Sequence, residues 1–383
     1  MFRLAVLAAA IATVSVPAFA FETEARNVYI IDYDTKAVLF DKGGEEHIPT
    51  ASMSKMMTAY VVFQQLRSGK LKLDDELPVS ERAWHTFGSK MFVPYGHGEK
   101  VKVEDLIRGM IVESGNDACI VLAEGIAGSE EAFADMMNQE AKKLGLNDSH
   151  FMNATGLPID DHYMSPHDLA MLGAHLISDF PEYYHYFSEI DFTYGTDEKT
   201  GKPIKQGNRN PLLYNSAGAD GIKTGHTEEA GFSLTASVKR GDRRIIVVAT
   251  GLKSMKGRSR EAENIVDFAF REFANYRIAK KGEEIDQADV AIGEKTKVPL
   301  IATQDLVVTM SRVARKDMKV TVAYDGPLVA PVAAGAPVAT LTVSAPDFAP
   351  QSIPVVTAAD VPRLGPLGRI RVSLDYLIWR GKS

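Results

Sequence analysis

Two strand-like regions set far apart bound the folds open to this chain. "NVYIIDYDTKAVLFDKG" alternates and then turns at Asp34-Thr35-Lys36, the pattern of a hairpin. "GADGIKTGHT", "GFSLTASVKRG" and "RRIIVVATGL" are again strand-like, about 180 residues later. The segments between are largely helical: one from about Ala51 to Arg67, closed by Gly69, then "VEDLIRGMIVE", "DACIVLAEGIAG" and "EEAFADMMNQEAKKLG". "SPHDLAMLGAHLI" is a further helix starting at Ser165-Pro166, and "REAENIVDFAFREFANY" an amphipathic one. Strands at both ends with helices between predict an α+β fold, one antiparallel sheet joining the ends with helices on both faces.

After about Arg277 the texture changes. "DLVVTMSR", "KDMKVTVAYDG" and "APVATLTVSAP" are short alternating segments separated by Gly, Pro and Asp, the pattern of a small β-sandwich. At 383 residues the chain exceeds what one core usually organises, which agrees with two domains. The expected division is a leader at 1–20, a catalytic domain at 21–277, a β-rich domain at 278–361 and a terminal amphipathic segment at 362–383. The leader reads "MFRLAVLAAAIATVSVPAFA": Arg3, an apolar run, then the small-x-small Ala18-Phe19-Ala20. The run is short for a bilayer span, so cleavage and export are expected rather than an uncleaved anchor. Net charge is −7 with no long basic run, which argues against nucleic acid as a partner. Cys119, the only cysteine, sits in "ACIVLA" as a small hydrophobe and cannot form an internal disulfide.

Three short patterns carry chemistry. Ser52-Met53-Ser54-Lys55 is the only Ser-x-x-Lys in the chain. Residues three apart on a helix are neighbours, so a hydroxyl and an amine meet within one turn. At a buried helix start a neutral Lys55 is favoured and can accept the Ser52 proton. The competing reading makes Ser52 or Thr50 an N-cap and Lys55 a solvated residue. Ser114-Gly115-Asn116 falls in a break between helices, where a hydroxyl and an amide can relay a proton and hold a peptide group; an ordinary turn uses the same residues. Lys-Thr-Gly occurs twice. Lys199-Thr200-Gly201 lies in a polar stretch with the look of an exposed turn, whereas Lys223-Thr224-Gly225 begins a strand. A Lys and Thr on a strand suit a carboxylate, and Gly225 lets a substrate backbone approach the strand edge. His162 and His167 lack a third ligand at a convincing spacing, so neither metal nor cofactor is expected.

The order SxxK, SxN, KTG resembles the penicillin-recognising serine acyltransferases. With "TASMSKMMTAYVV", "LIRGMIVESGNDAC", "GSKMFVPYG" and "GNRNPLLYNSAGADGIKTGHTEEAGFSLTAS", the chain is similar to the low-molecular-mass D-alanyl-D-alanine carboxypeptidases, the S11 serine peptidases, from about Phe21 to the end. The resemblance implies a β-lactamase/transpeptidase-like catalytic domain, a smaller β-domain and a C-terminal membrane-associating helix. It implies Ser52 as nucleophile, Lys55 as proton acceptor and Ser114 as proton shuttle. Asn116 would hold the substrate amide and Lys223 and Thr224 the terminal carboxylate, with added charge from Arg209. The N–H groups of Ser52 and His226 would form the oxyanion hole. The implied substrate is the peptidoglycan pentapeptide stem, with β-lactams as covalent inhibitors and the periplasmic face of the inner membrane as the location. A β-lactamase, a D,D-endopeptidase and a non-catalytic wall-binding protein are the alternatives; no E-x-x-x-N lies between Gly145 and Lys223 for the first.

The tail "RLGPLGRIRVSLDYLIWRGKS" fits a surface anchor on its residues. Ile370, Leu374, Leu377 and Ile378 share one helical face, and five basic residues against Asp375 leave +4. Val372, Tyr376 and Trp379 form a second apolar strip, compatible with a helix lying on a bilayer or docked on the protein.

Overall fold

The structure is a computed structural model that describes residues 21–197, 199–368 and 370. The expected leader and most of the expected anchor lie outside those residues. The chain divides into a unit of Thr23–Ile278 with Leu306–Arg312 and a unit containing Ala279–Asp305 and the chain from Val313 onward.

The larger unit is built on a five-stranded antiparallel sheet. Its N-terminal strands are β1 (Asn27–Asp32) and β2 (Val38–Lys42). The helices that follow are α1 (Lys55–Arg67), α2 (Val103–Ile111), α3 (Asn116–Ala127), α4 (Glu130–Lys143) and α5 (Pro166–Asp179). The sheet is then completed by β3 (Ala219–Thr227), β4 (Gly231–Arg240) and β5 (Arg243–Leu252), before α6 (Met255–Glu272). The sheet order is β2-β1-β5-β4-β3, so the first strands of the unit pair with the last. Every residue of β1 is buried. A strand so placed is covered on both faces, and α5 and α6 both pack on β5 and β4.

α1 is the central helix. Lys55 through Phe63 are all buried, so it has no solvent face, and it packs against α2, α3, α4 and α5. The helix expected from Ala51 is a 3₁₀ turn over Ala51–Ser54 that passes into α1 at Lys55. Ser165 caps α5 by accepting from Asp168 N at 3.1 Å, with Pro166 at the first helical position.

Two expectations need correction. The helix expected to run to Tyr276 ends at Glu272, and Phe273–Ala279 is a strand. "DLVVTMSR" was expected in the second domain. Its strand Leu306–Ser311 instead pairs with Phe273–Ala279 and clusters with the larger unit. Alternation reports a half-buried strand but not which sheet receives it. The other unit holds a six-stranded sheet in the spatial order Lys319–Tyr324, Pro337–Ala345, Phe348–Thr357, Lys297–Ala302, Glu284–Ala291, Leu328–Val329. Among the described residues no helix is long and apolar enough to cross a membrane.

Candidate active site

Ser52 lies in the 3₁₀ turn, and a buried polar chain fixes that turn from behind. Met152 N donates to His162 Nδ1 at 3.1 Å, so the ring proton sits on Nε2, 2.7 Å from Ser54 Oγ. Ser54 in turn lies against Thr50 Oγ1. Burial holds His162 down to about 4, with His150 and Lys55 adding to the effect. The ring is therefore neutral at physiological pH, which this bonding pattern requires. Gly156, at φ +78°, packs directly on the Ala51 carbonyl; a Cβ there would collide with it.

Lys55 begins α1 and its Nζ lies 2.9 Å from Ser52 Oγ. The other partners are Asn116 Oδ1 at 2.7 Å and the Thr155 carbonyl at 2.6 Å. None of the three carries a charge, and Lys55 is 1% exposed. Taking an ammonium out of water without a paired anion is costly, so burial lowers the Lys55 pKa, and Arg209 opposes the charge further. The competing reading of this segment does not fit: Thr50 makes no side-chain capping bond, Ser52 lies inside the 3₁₀ turn rather than at a cap position, and Lys55 is not solvated.

The segment 112–115, between α2 and α3, brings Ser114 opposite this pair. Ser114 has φ +61° and is buried. Its Oγ accepts from Lys223 Nζ at 3.0 Å; that amine also reaches the Thr224 carbonyl at 3.3 Å. Burial first, and then the neighbouring basic groups of Lys55 and Arg209, push the Lys223 pKa well below its usual value. Asn116 is occupied at both ends of its amide, by Lys55 and by a 2.8 Å bond from Nδ2 to the Phe87 carbonyl. Its place is under the Ser52–Lys55 pair.

A cavity of about 550 Å³ opens above these groups, lined among others by Ser52, Ser114, Thr224, Gly225 and His226. Arg209 reaches its wall and donates to Ser89 Oγ. Gly225 serves the protein as much as any ligand, since a Cβ there would lie 2.7 Å from the Thr50 carbonyl, beside the Ser52 turn. His226 is exposed, with its ring 3.9 Å from that of Phe232. Lys199-Thr200-Gly201 is in the exposed turn of the hairpin Asp191–Thr196 and Pro203–Gly207, where Asp197 accepts from Lys199 N at 2.9 Å and Thr200 N at 2.7 Å. The two Lys-Thr-Gly triplets are thus separated by burial, and only the second joins Ser52.

Four residues of the site escaped the sequence reading. Arg258 on α6 lines the cavity and donates to the Arg209 carbonyl at 3.1 Å; burial lowers it to about 10. Nothing in "KGRSREAE" separates it from its neighbours Lys256 and Arg260. Asp117 is buried and accepts from Met91, Phe92 and Val93 N at 2.9, 2.9 and 3.1 Å, which anchors the segment beside the cavity. Its place directly after Ser-Gly-Asn was the available signal. His162 is the third. Glu113 is the fourth: fully buried, with neither carboxyl oxygen bonded, and pushed up to about 8 by burial and then by Asp117. No carboxylate is among the described residues lining the cavity.

Residues 11–254 match the Peptidase S11 family, described as D-alanyl-D-alanine carboxypeptidase, and residues 273–363 match the penicillin-binding protein 5 C-terminal domain. The chain is 34% identical over 362 residues to the D-alanyl-D-alanine carboxypeptidase DacA of Escherichia coli strain K12, covering 93% of this chain and 87% of that protein. Among solved structures it is similar to the D-alanyl-D-alanine carboxypeptidase DacD from Francisella tularensis, with TM-score 0.78, 31% identity and coverage of 90% and 95%. It is also similar to penicillin-binding protein 5 from Haemophilus influenzae, with TM-score 0.75, 34% identity and coverage of 90% and 100%.

Proposed function

This chain belongs to the D-alanyl-D-alanine carboxypeptidase family, and we propose that it removes the terminal D-alanine from peptidoglycan pentapeptide stems through an acyl-enzyme on Ser52. The observation that carries the mechanism is the 2.9 Å contact between Ser52 Oγ and a buried Lys55 whose hydrogen-bond partners are all uncharged. A neutral Lys55 takes the proton as Ser52 Oγ bonds to the carbonyl carbon of the penultimate D-alanine. The N–H groups of Ser52 and His226 hold the developing oxyanion, and one such donor contributes about 10²–10³-fold in rate. Collapse breaks the C–N bond. Ser114, in contact with Lys223, relays the proton taken up by Lys55 to the leaving amine. Water then attacks the Ser52 ester, giving one proton to Lys55, which returns it to Ser52 Oγ as the C–O bond breaks.

The terminal carboxylate of the substrate enters a cavity with Arg209, Arg258 and the Lys223–Thr224 corner and without acidic lining groups. That field suits an anion. Asn116 holds Lys55 in place and has one remaining amide proton for the substrate carbonyl. A β-lactam offers the same acyl and carboxylate groups and should stop at the Ser52 ester. A β-lactamase of the kind that uses a Glu to activate its deacylating water finds no carboxylate among the described residues of the cavity lining. A D,D-endopeptidase activity on crosslinks remains the second reading of the same acylation machinery. The leader and the basic, aromatic tail support export and a position on the outer face of the cytoplasmic membrane.

Labelled penicillin followed by peptide mass spectrometry, alongside a D-alanine release assay, tests the proposal. One adduct on the residue 52 peptide, lost in Ser52→Ala, is expected. An adduct on Ser54 or Ser114, or no release of D-alanine, would overturn it.

A further inference from the structure

A second cleft, of about 930 Å³, opens beside the catalytic cavity, and Lys90 and Phe92 line both. One wall is aromatic. The rings of Trp84 and Tyr95 stack at 5.4 Å and 25°, so the pair offers outer ring faces and edges to the cleft, and each residue is still more than 40% exposed. The opposite wall is the hairpin carrying Tyr194 and Ile204. Phe92 stands at the junction with φ +67°, a conformation that costs a bulky residue free energy. The buried Asp117 offsets it by taking the N–H groups of Met91, Phe92 and Val93. Gln206 ties the hairpin to the Lys90 carbonyl at 2.8 Å. The fold therefore spends buried polar contacts to keep large aromatic rings in water at the edge of the catalytic cavity. Exposed aromatic surface so maintained marks a binding site.

The charges in this cleft decide what it binds. Lys90 Nζ is bonded to the Trp84 carbonyl, Glu99 to His97 N, and Asp197 to the backbone of residues 199 and 200. Lys199 and the buried Asp117 line the cleft as well, so basic and acidic groups are interspersed with no single-sign field, and the cleft suits a neutral ligand that is flat, apolar on its faces and polar at its rim. A pyranose ring has that character: its axial C–H bonds lie on aromatic faces while its hydroxyls reach polar side chains.

We infer that this cleft binds the N-acetylated amino-sugar from which the stem peptide hangs, with Trp84 and Tyr95 as the stacking platform. The inference rests on the substrate class proposed above. An extended stem of five residues spans at most about 17 Å, so a stem with its end at Ser52 can carry its sugar into an adjoining cleft. The cleft then favours stems still attached to sugar over free peptides.

Calorimetric titration of the full chain with tetra-N-acetylchitotetraose reads the sugar site without catalysis. Saturable binding is expected for the wild type. Trp84→Ala and Tyr95→Ala should abolish it, while Trp84→Phe retains it. In parallel, kcat/KM is measured on disaccharide-linked pentapeptide and on a free acylated peptide ending in D-Ala-D-Ala. Trp84→Ala should lower the first roughly fivefold and leave the second unchanged, as expected for loss of one stacking platform. No saturable sugar binding by the wild type would overturn the inference. An equal loss on both substrates would overturn it as well and assign the cleft to the peptide. Absence of D-alanine release from either substrate would instead refute the proposed function, and the titration would still decide the sugar site.

Discussion

Replacing Glu113 by Gln should stabilise the protein by an amount that grows with pH. Glu113 has no solvent exposure and no hydrogen-bond partner for either oxygen, and its pKa rises from 4.5 to about 8. The folded state thus keeps a proton that the unfolded chain has already released. A group whose folded pKa is raised contributes stability that is full below the unfolded value and is lost as pH climbs towards the folded one. At about 1.4 kcal/mol per pH unit, the 2.5 units between 4.5 and 7 cost the wild type about 3 kcal/mol. Gln has nearly the same shape and does not titrate. Any fixed cost of its unbonded amide is the same at every pH, so the change in the difference isolates the carboxyl. Thermal unfolding of both proteins at pH 5, 6, 7 and 8 is the assay. For a domain of this size the gap in Tm should widen by about 6 °C or more between the ends of that range. Parallel Tm curves would refute the reasoning, because they would mean that Glu113 is ionised, and therefore solvated or paired, in the folded protein.

The remaining predictions concern the site and the tail. Lys223→Ala should lower kcat/KM on a small D-Ala-D-Ala peptide by roughly tenfold or more, the loss of a charged hydrogen bond, whereas Lys199→Ala should leave it nearly unchanged; the reverse order would reassign the carboxylate site. Gly156→Ala should slow penicillin acylation and cost about 1–3 kcal/mol, since a left-handed φ and a collision with the Ala51 carbonyl both displace the Ser52 turn. An unchanged acylation rate would show that the turn does not depend on that contact. A chain ending at Val361 should keep its activity on a soluble peptide and stop sedimenting with anionic liposomes; equal sedimentation of both forms would remove the anchor.

Local pattern made much of the catalytic unit legible. β1, β4 and the centre of β5 alternate or run apolar, and Ser165-Pro166 carries its own start signal. The strand Leu306–Ser311 is equally regular, yet its domain was misjudged because period-two alternation is indifferent to the partner sheet. Among the site residues, those inside short contiguous patterns were found: Ser52 with Lys55, Ser114 with Asn116, Lys223 with Thr224. Arg258, His162 and Glu113 belong to no such pattern. Their importance comes from what other segments place beside them.

The sequence by itself determined the pairing of Ser52 with Lys55, since a helical turn brings residues three apart together whatever surrounds them. It also determined that the first and last strands of the catalytic unit needed each other, since neither hairpin can bury its apolar residues alone. Only the tertiary structure decided that Lys55 sits out of water with its pKa lowered. Its uncharged partners come from Asn116 and Thr155, about 60 and 100 residues away, and the same distant packing leaves it 1% exposed. The chemistry of an amine depends on the dielectric and the charges around it, and those are set by the surrounding segments rather than by its own.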